Sequence, residues 1–405
     1  MFKKILTLVL VLALAVGCSV AMASCGGGSK TKDPSEVKAA LIALHGTSST
    51  YDKNFIEAFE TACKNKGLKK ENYTIITDIP EGTECYNEAA NFADEGYDVI
   101  FADSFGHESH MLKAAKEFPE VQFCHATGTK AHTAGVANFH NAFASIYEGR
   151  FLAGVAAGLK LNELKAEGKL NGETPKMGYV GAYTYAEVIS GYTSFYLGAK
   201  SVCPDVTMEV QFTGSWYDEI MEKEAATALI NNGCDLISQH ADSMGAPSVC
   251  EEKGVPNVSY NGATDEACPG TFIVSSRIDW APYYLYIIKQ ACTGAEIATD
   301  WTGTIASGSV VLTGVNKTAA AEGTFEKIQE VAAKLQSGKI KVFNIDTFTV
   351  GGNKVTTYTA DVDDLGDYIP ETEAIKDGYF AESSDRSAPY FDLRIDGITL
   401  LNEKF

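Results

Sequence analysis

The feature that most constrains the fold is a regular alternation of short apolar segments with amphipathic ones. Between the apolar runs, apolar residues recur at helical spacing, as Phe55, Phe59 and Ala62 do. Strands that alternate with helices in this way form a parallel, doubly wound sheet. The first series of apolar runs lies at 39–45, 73–76, 98–102 and 121–126.

A second series of the same kind follows an interruption. Residues 127–136 are rich in Gly, Thr and His, and a long helix is expected over 142–161. Apolar runs then recur at 177–181, 208–212, 235–239 and 257–260. Two α/β halves in one chain predict two lobes around a cleft, with ligand held at the carboxyl ends of the strands.

Composition and charge exclude several classes of protein. The chain has 405 residues and is 45% hydrophobic, which excludes wholesale disorder. With 33 Lys and Arg against 53 Asp and Glu, its net charge is -20. Such a chain repels phosphate backbones, so we expect no nucleic-acid partner.

The N-terminus indicates export. Two lysines precede an uncharged apolar stretch that is too short for a stable membrane span, which is typical of a signal peptide. Met22-Ala23-Ser24-Cys25 resembles a lipobox, and a glycine-rich tether follows it. We therefore expect a signal peptide at 1–24, a lipid on Cys25 with a tether to residue 36, and a location on the extracytoplasmic face of the cell membrane. Ordinary secretion is the alternative.

The remaining cysteines and the search for catalytic motifs give little support for a metal site or for an enzyme. Eight cysteines remain beyond Cys25, and none forms a CxxC pair, so zinc is not expected; disulfides and buried thiols both stay open. The chain has no GxSxG elbow, and His107 and His110 are three residues apart rather than four. We expect no enzyme activity and no cofactor.

Aromatic and polar residues instead gather where predicted strands end. Four such turns lie at 50–55, 102–108, 213–218 and 239–243, and they contain Tyr51, Phe105, Trp216 and Asp242. Aromatic faces can sandwich a flat ligand, and carboxylates or amides can read its edge. Core packing is the alternative for any one of these aromatics, and a helix N-cap is the alternative for Asp242.

Several segments also resemble the basic membrane protein family of lipoproteins, which includes purine nucleoside receptors of bacterial ABC importers. Glu148-Gly149-Arg150-Phe151-Leu152-Ala153-Gly154 is similar to the family's E-G-x-Y-L-A-G helix, and Gly214-Ser215-Trp216-Tyr217-Asp218 to its G-S-F/W-x-D turn. Further matches lie at 52–55, 177–181 and 233–237.

This resemblance implies a type I periplasmic binding protein, with two doubly wound α/β lobes and three crossovers. The N-terminal lobe would span 37–130, completed by about 277–305. The C-terminal lobe would span 131–276, completed by parts of 306–350, and residues 351–405 would form an extension.

It also implies a ligand site. Phe55 and Trp216 would clamp a purine, Glu108 would read the base beside Ser104, and Asn261 and Arg277 would hold the ribose. Family receptors carry Asp and Lys at those last two places, and Arg does not reproduce the geometry of Lys. The full set expected at the site is Asp52, Asn54, Phe55, Ser104, Phe105, Glu108, Trp216, Asp242, Asn261 and Arg277.

The function implied is that of a monomeric, lipid-anchored substrate-binding protein. It would deliver a purine nucleobase, such as adenine, or a nucleoside to an ABC permease and its ATPase by closing two lobes around the ligand. Two alternatives remain: the same fold with a sugar or other small polar ligand, and a ligand-sensing lipoprotein that signals through a partner.

Overall fold

The computed structural model describes residues 31–363 and 369–404. The expected signal peptide and Cys25 lie outside the described residues. No helix within the described ranges is long and apolar enough to cross a membrane.

The strands follow the two series seen in the sequence, with several short pairs added near the C-terminus. In chain order they are β1 (Ala39–Ile42), β2 (Tyr73–Ile76), β3 (Val99–Ala102), β4 (Gln122–Ala126), β5 (Phe139–Ala144), β6 (Lys176–Gly181), β7 (Thr207–Phe212), β8 (Leu236–His240), β9 (Asn257–Tyr260), β10 (Phe272–Ile278), β11 (Asp300–Gly303), β12 (Val310–Leu312), β13 (Thr359–Ala360), β14 (Thr372–Glu373), β15 (Ile375–Lys376), β16 (Tyr379–Phe380) and β17 (Ile398–Leu400).

The helices connect these strands. They are α1 (Thr50–Lys66), α2 (Thr83–Asp94), α3 (Glu108–Glu117), α4 (Ala131–Ala134), α5 (Ile146–Ala166), α6 (Ala186–Lys200), α7 (Glu219–Asn231), α8 (Gly245–Lys253), α9 (Ala281–Thr293) and α10 (Thr324–Gln336).

Two sheets form two lobes. The first sheet has the order β11-β5-β4-β3-β1-β2, with each pair parallel. The second has the order β12-β10-β9-β8-β6-β7-β17, and only its β10–β12 pair is antiparallel. The chain passes between the sheets three times, after β5, after β10 and after β11. This is the architecture that the resemblance implies.

The boundary between the lobes differs from the expected one at 130/131. β5 pairs with β4 and β11 in the first sheet, so the first lobe continues to Ala144 and the long helix begins at Ile146. The sequence obscured this strand because His140 and Asn141 interrupt its apolar pattern, although both are buried. The first crossover therefore lies at Ser145.

The C-terminal extension is part of the second lobe rather than an appendage. β17 pairs with β7 at the edge of the second sheet, and Phe380 and Phe391 pack in that lobe's core. The extension also reaches the first lobe, because Ser387 donates two hydrogen bonds to Asp300 Oδ1, from its backbone N–H at 2.8 Å and from its hydroxyl at 2.6 Å.

Close packing of α5 against α6 explains two glycines of the second lobe. A Cβ at Gly154 would lie 2.0 Å from the carbonyl oxygen of Phe195, and one at Gly198 would lie 2.0 Å from that of Phe151. Only glycine lets the two helix backbones approach this closely. Gly154 belongs to the helix motif that carries the family resemblance, so the motif has a packing origin.

The cysteines of the described residues are free thiols. The structure pairs none of the eight cysteines in the described residues, and only Cys292 among them is not buried. Burial raises the pKa of Cys63, Cys124 and Cys250 to about 12, so these thiols stay protonated and unreactive at neutral pH.

Candidate functional site

A cavity lies between the two lobes, at the carboxyl ends of the strands. We call it the inner cavity; the empty space among its lining atoms is about 380 Å³, and part of that space is open to solvent. Its lining from the first lobe is Leu44, His45, Tyr51, Asp52, Ser104, Phe105 and Thr127. Its lining from the second lobe is Glu187, Trp216, His240, Asp242 and Tyr260.

The lining residues lie at the carboxyl ends of strands, in the turns after them, or in the first turn of the next helix, because parallel strands deliver their carboxyl ends to one edge of a sheet. Asp52 lies in the first turn of α1, which Ser49 caps by accepting a hydrogen bond from the Asp52 N–H. The Asp52 carboxylate in turn accepts from the His45 N–H at 2.8 Å and from the Ser49 hydroxyl at 2.5 Å. These bonds fix the carboxylate in place before any ligand arrives.

Buried carboxyl groups dominate the electrostatics around the cavity. Burial, and then the charge of Asp52, raises the pKa of Asp242 well above its usual range, and the same two causes raise the pKa of Asp103. Asp103 accepts from the Leu44 N–H at 3.1 Å. A carboxyl group that keeps its proton can donate as well as accept a hydrogen bond, so Asp242 can pair with either a donor or an acceptor on a ligand.

Aromatic rings supply the flat surfaces. Trp216 lines the inner cavity and is held edge-on by Tyr183, with ring centroids 5.1 Å apart. Phe105 from the first lobe meets Tyr185 from the second with centroids 5.3 Å apart. The rings thus come from both lobes, and a planar ligand can contact Trp216 and Phe105 within one cavity.

Five of the ten expected site residues line the inner cavity: Asp52, Ser104, Phe105, Trp216 and Asp242. Asp242 is not the N-cap of α8, because Met244 holds that position and the Asp242 carboxylate accepts from Asn261 at 3.3 Å. The alternative explanation for Asp242 is therefore wrong.

Phe55 is a correction to the expected aromatic clamp. It is fully buried and stacks on Trp280, with ring centroids 4.3 Å apart. It packs in the core of the first lobe and does not line the inner cavity. The apolar spacing that predicts α1 also defines the face of the helix that packs on the core, and Phe55 lies on that face.

Glu108 is a second correction. Its carboxylate accepts from the N–H groups of Thr129 and Lys130, at 2.7 and 2.8 Å, and does not line the inner cavity. Burial raises the pKa of Glu108, while the bonds to Lys130 and Thr129 oppose that shift. Glu108 therefore holds the loop after β4 instead of reading a base.

Asn54, Asn261 and Arg277 form a contact between the lobes instead of lining the inner cavity. The Asn54 amide donates to the carbonyl oxygen of Asn261 at 2.9 Å, and the Arg277 guanidinium donates to Asn54 Oδ1 at 3.4 Å. We call these three residues the interlobe latch. The Asn261 side-chain amide donates instead to Asp242 Oδ1 at 3.3 Å within the second lobe, and the expected ribose contacts of Asn261 and Arg277 stay predictions.

Seven lining residues were not among the expected set. Tyr51 and His240 lie in the turns that the sequence singles out, so position alone could have identified them. Glu187 carries no such signal, yet its carboxylate lies 3.4 Å from His240 Nε2. Burial lowers the pKa of His240, which keeps its ring neutral at physiological pH. The remaining four are Leu44, His45, Thr127 and Tyr260.

Metal binding has little support at this site. Within the described ranges, the acidic residues close enough together to hold an ion are Asp361, Asp363 and Glu371. All three lie in the C-terminal extension, and none lines the inner cavity.

Comparison with known proteins finds relatives that are named for binding small molecules. A purine-binding protein of Brucella abortus is 32% identical, with 68% of this chain and 73% of that relative covered. A Haloferax volcanii ABC transporter protein, whose name proposes glucose binding, is 31% identical over 55% of this chain and 53% of its own. A nucleoside-binding protein of Lactococcus lactis is 28% identical, with 61% of this chain and 66% of that relative covered.

Solved structures share the fold. A solute-binding protein from Conexibacter woesei matches 75% of this chain and 98% of its own with a TM-score of 0.62 at 21% identity. One from Aeropyrum pernix matches 76% of this chain and 93% of its own with a TM-score of 0.64 at 15% identity. These likenesses confirm the two-lobe type I periplasmic binding fold. The family model for PnrA-like substrate-binding proteins of ABC transporters matches residues 41–347. The chain therefore belongs to the PnrA-like family of ABC transporter substrate-binding proteins.

Proposed function

We propose that this protein binds a purine in the inner cavity and delivers it to the permease of an ABC importer. The observation that carries the proposal is the composition of that cavity, in which Trp216 and Phe105 offer ring faces while Asp52, Asp242 and Glu187 offer acceptors. A purine is flat and carries N–H donors on its edge.

Lobe closure is the proposed mechanism. The Thr50 backbone N–H from the first lobe donates to the Asp242 carbonyl oxygen of the second at 3.1 Å, close beside the cavity. The interlobe latch adds two further bonds. A ligand that contacts both lobes favours the closed state, and release to the permease requires these contacts to open.

The names of relatives support a purine over other ligands, because those of Brucella abortus and Lactococcus lactis are named for binding a purine and a nucleoside. A sugar is the second candidate. It is favoured by the name of the Haloferax volcanii relative and by the combination of Trp216 with several carboxylates, which also suits a sugar ring.

We further propose that Cys25 carries a lipid that anchors the protein to the extracytoplasmic face of the cell membrane. The motif at 22–25 and the glycine-rich residues after it support this proposal. Metabolic labelling of the full chain with a radioactive fatty acid tests it, with Cys25→Ala as the control that should lose the label.

Titration calorimetry tests the ligand. Residues 26–405 would be unfolded, dialysed and refolded to remove any bound ligand, then titrated with adenine, hypoxanthine, adenosine, inosine, uridine and glucose. The proposal predicts heat from at least one purine and none from uridine or glucose. Binding of glucose without any purine would replace the proposal by its second candidate.

A further inference from the structure

Arg150 is a buried cation in the core of the second lobe. It lies in α5 and is fully buried. Its guanidinium donates to the Ser259 carbonyl oxygen at 3.2 Å and to three hydroxyls, those of Ser276 at 3.3 Å, Tyr179 at 3.2 Å and Ser238 at 2.7 Å. These four residues belong to β9, β10, β6 and β8, so one side chain joins four strands of the second sheet.

None of these acceptors carries a charge. The acceptors of Arg150 among the described residues are hydroxyl and carbonyl oxygens, and its Nε has no hydrogen-bond partner there. Burying a cation without an anion is costly, and a neutral side chain of similar volume would avoid that cost. The rings of Tyr179, Phe195 and Tyr260, with centroids 4.8–5.4 Å from the guanidinium carbon, offset only part of it. Packing of the core alone does not account for a charge at this position.

An aromatic ring links Arg150 to the inner cavity. The guanidinium carbon lies 5.2 Å from the ring centroid of Tyr260, which lines the cavity. The Tyr260 ring lies in turn 4.4 Å from the ring of His240, another lining residue. His240 Nε2 lies 3.4 Å from the Glu187 carboxylate, which lines the cavity as well. Tyr260 is therefore in contact with the buried cation and with the His240–Glu187 pair.

The surroundings of His240 hold its ring in a narrow space. Its Nδ1 is buried without a hydrogen-bond partner in the part of the chain that the structure describes, and a Cβ at Gly191 would lie 2.6 Å from that atom. Burial lowers the pKa of His240, the nearby Glu187 carboxylate opposes that shift, and the Arg150 charge adds to it. The titratable and charged groups around the ring come from four other elements and from the turn after β8, and they are Glu187, Tyr179, Tyr260, Arg150 and Asp242.

We propose that Arg150 is a positioning residue of the ligand site, acting through Tyr260 on the His240–Glu187 pair. The buried cation disfavours a second positive charge on His240, so the ring stays neutral. A protonated ring would form an ion pair with Glu187 and draw its charge away from a ligand. With a neutral ring, the Glu187 carboxylate keeps that charge for a donor on the ligand. This inference rests on the proposed function and adds to it how the charge of the cavity is set.

Calorimetry between pH 8 and pH 6, with adenine and with adenosine as the probes, tests this role. Arg150→Met removes the charge and keeps much of the side-chain volume. Its Kd divided by the wild-type Kd at the same pH should rise at least threefold from pH 8 to pH 6, since losing one hydrogen bond weakens binding about threefold to tenfold. The comparison at each pH cancels the titration of Asp242 and Glu222, which both proteins share.

Ser238→Ala is the matched control for packing. It removes the shortest of the four bonds to the guanidinium and leaves the charge in place. It should lower the melting temperature, while its ratio of Kd to the wild-type value stays constant from pH 8 to pH 6. A constant ratio in Arg150→Met, or the same rise in Ser238→Ala, would overturn the inference.

Nuclear magnetic resonance of the His240 ring tests the inference without a ligand. The signal is assigned by its loss in His240→Gln. The wild-type ring should titrate below pH 6.5, the ordinary value for histidine, and the midpoint should move to higher pH in Arg150→Met. Arg150→Gln takes the place of Arg150→Met should the latter not fold.

Two results of the ring titration would overturn the inference: a wild-type His240 that is already protonated at pH 6.5, and a midpoint that does not move when the charge of Arg150 is removed. Failure of the proposed function has a different signature. If no purine binds the wild type, that function falls, whereas the ring titration still decides whether Arg150 acts on His240.

Discussion

Replacing Asn54 by alanine should weaken the binding of a base and of its nucleoside by the same factor. Asn54 is the first-lobe member of the interlobe latch, where it bonds the Asn261 carbonyl oxygen at 2.9 Å and receives a bond from Arg277 at 3.4 Å. It does not line the inner cavity. Its loss therefore acts on closure, which is common to every ligand held between the lobes.

The magnitude follows from these two bonds. A neutral hydrogen bond contributes about 1 kcal/mol net. A bond from a charged group usually contributes more, but the bond from Arg277 is long at 3.4 Å and is weaker for that reason. Together they contribute roughly 1–2 kcal/mol to the closed state, a factor of about 5–30 in its equilibrium constant. Because closure is part of binding, Kd should rise by up to that factor for adenine and for adenosine alike.

Calorimetry measures the two affinities, and hydrogen exchange measures closure directly. The Thr50 amide bonds across the lobes to Asp242, so it should exchange faster in the Asn54→Ala variant. Asn162→Ala is the matched control, since the Asn162 amide bonds the Val202 carbonyl oxygen at 2.8 Å within the second lobe. A loss confined to the nucleoside would refute the latch and support Asn261 and Arg277 as ribose contacts.

Three further changes have expected outcomes. Trp216→Ala should weaken purine binding more than tenfold by calorimetry, because stacking of a base on an aromatic ring contributes roughly 1–3 kcal/mol; unchanged affinity would remove Trp216 from the site. Gly154→Ala should lower the free energy of unfolding by about 1–3 kcal/mol in denaturant titrations, because the added Cβ would meet the Phe195 carbonyl oxygen. Gly172→Ala is the control: its added Cβ would meet nothing closer than 4.0 Å, so the free energy of unfolding should change by less than about 0.5 kcal/mol. Burial raises the pKa of Glu222 to about 7, so the folded state keeps a proton that the unfolded state loses near pH 4.5, and stability falls as pH rises between these values. Glu222→Gln should therefore gain in melting temperature relative to the wild type from pH 5 to pH 8, and parallel pH profiles would contradict this.

Much of the fold could be predicted because the periodicity of apolar residues marks strands and helices directly. β5 was missed because two polar residues interrupt it and α5 follows after a single residue. The pairing of β17 with β7 could not be predicted from the sequence either. β17 has only three residues, which carry almost no pattern, and its partner strand lies nearly two hundred positions away along the chain.

The site was predictable where topology alone decides position. Ser104, Trp216 and Asp242 follow strands, and parallel strands end at one edge, so the sequence places them at the cleft. Phe55 and Glu108 lie near the starts of the helices that follow β1 and β3, but their side chains turn into the core and toward a neighbouring loop. That orientation depends on tertiary packing, which spacing along the chain does not encode.

The C-terminal extension lies beyond the part of the chain that the family model matches, which ends at residue 347. It contributes an edge strand and core residues to the second lobe, contacts Asp300 of the first lobe, and supplies Tyr390 and Arg394 to the lining of a wide, solvent-open space between the lobes. Its removal would expose the core beneath Phe380 and Phe391. Single substitutions, rather than truncation, are therefore the suitable tests of its contribution to binding.

The most direct test of the account is a crystal structure of the refolded protein with bound adenosine. The account predicts the base in the inner cavity against Trp216, with its edge toward the carboxyl groups of Asp52 and Asp242. A base stacked on Phe55, or a sugar held by Asn261 and Arg277 in place of the interlobe latch, would contradict it.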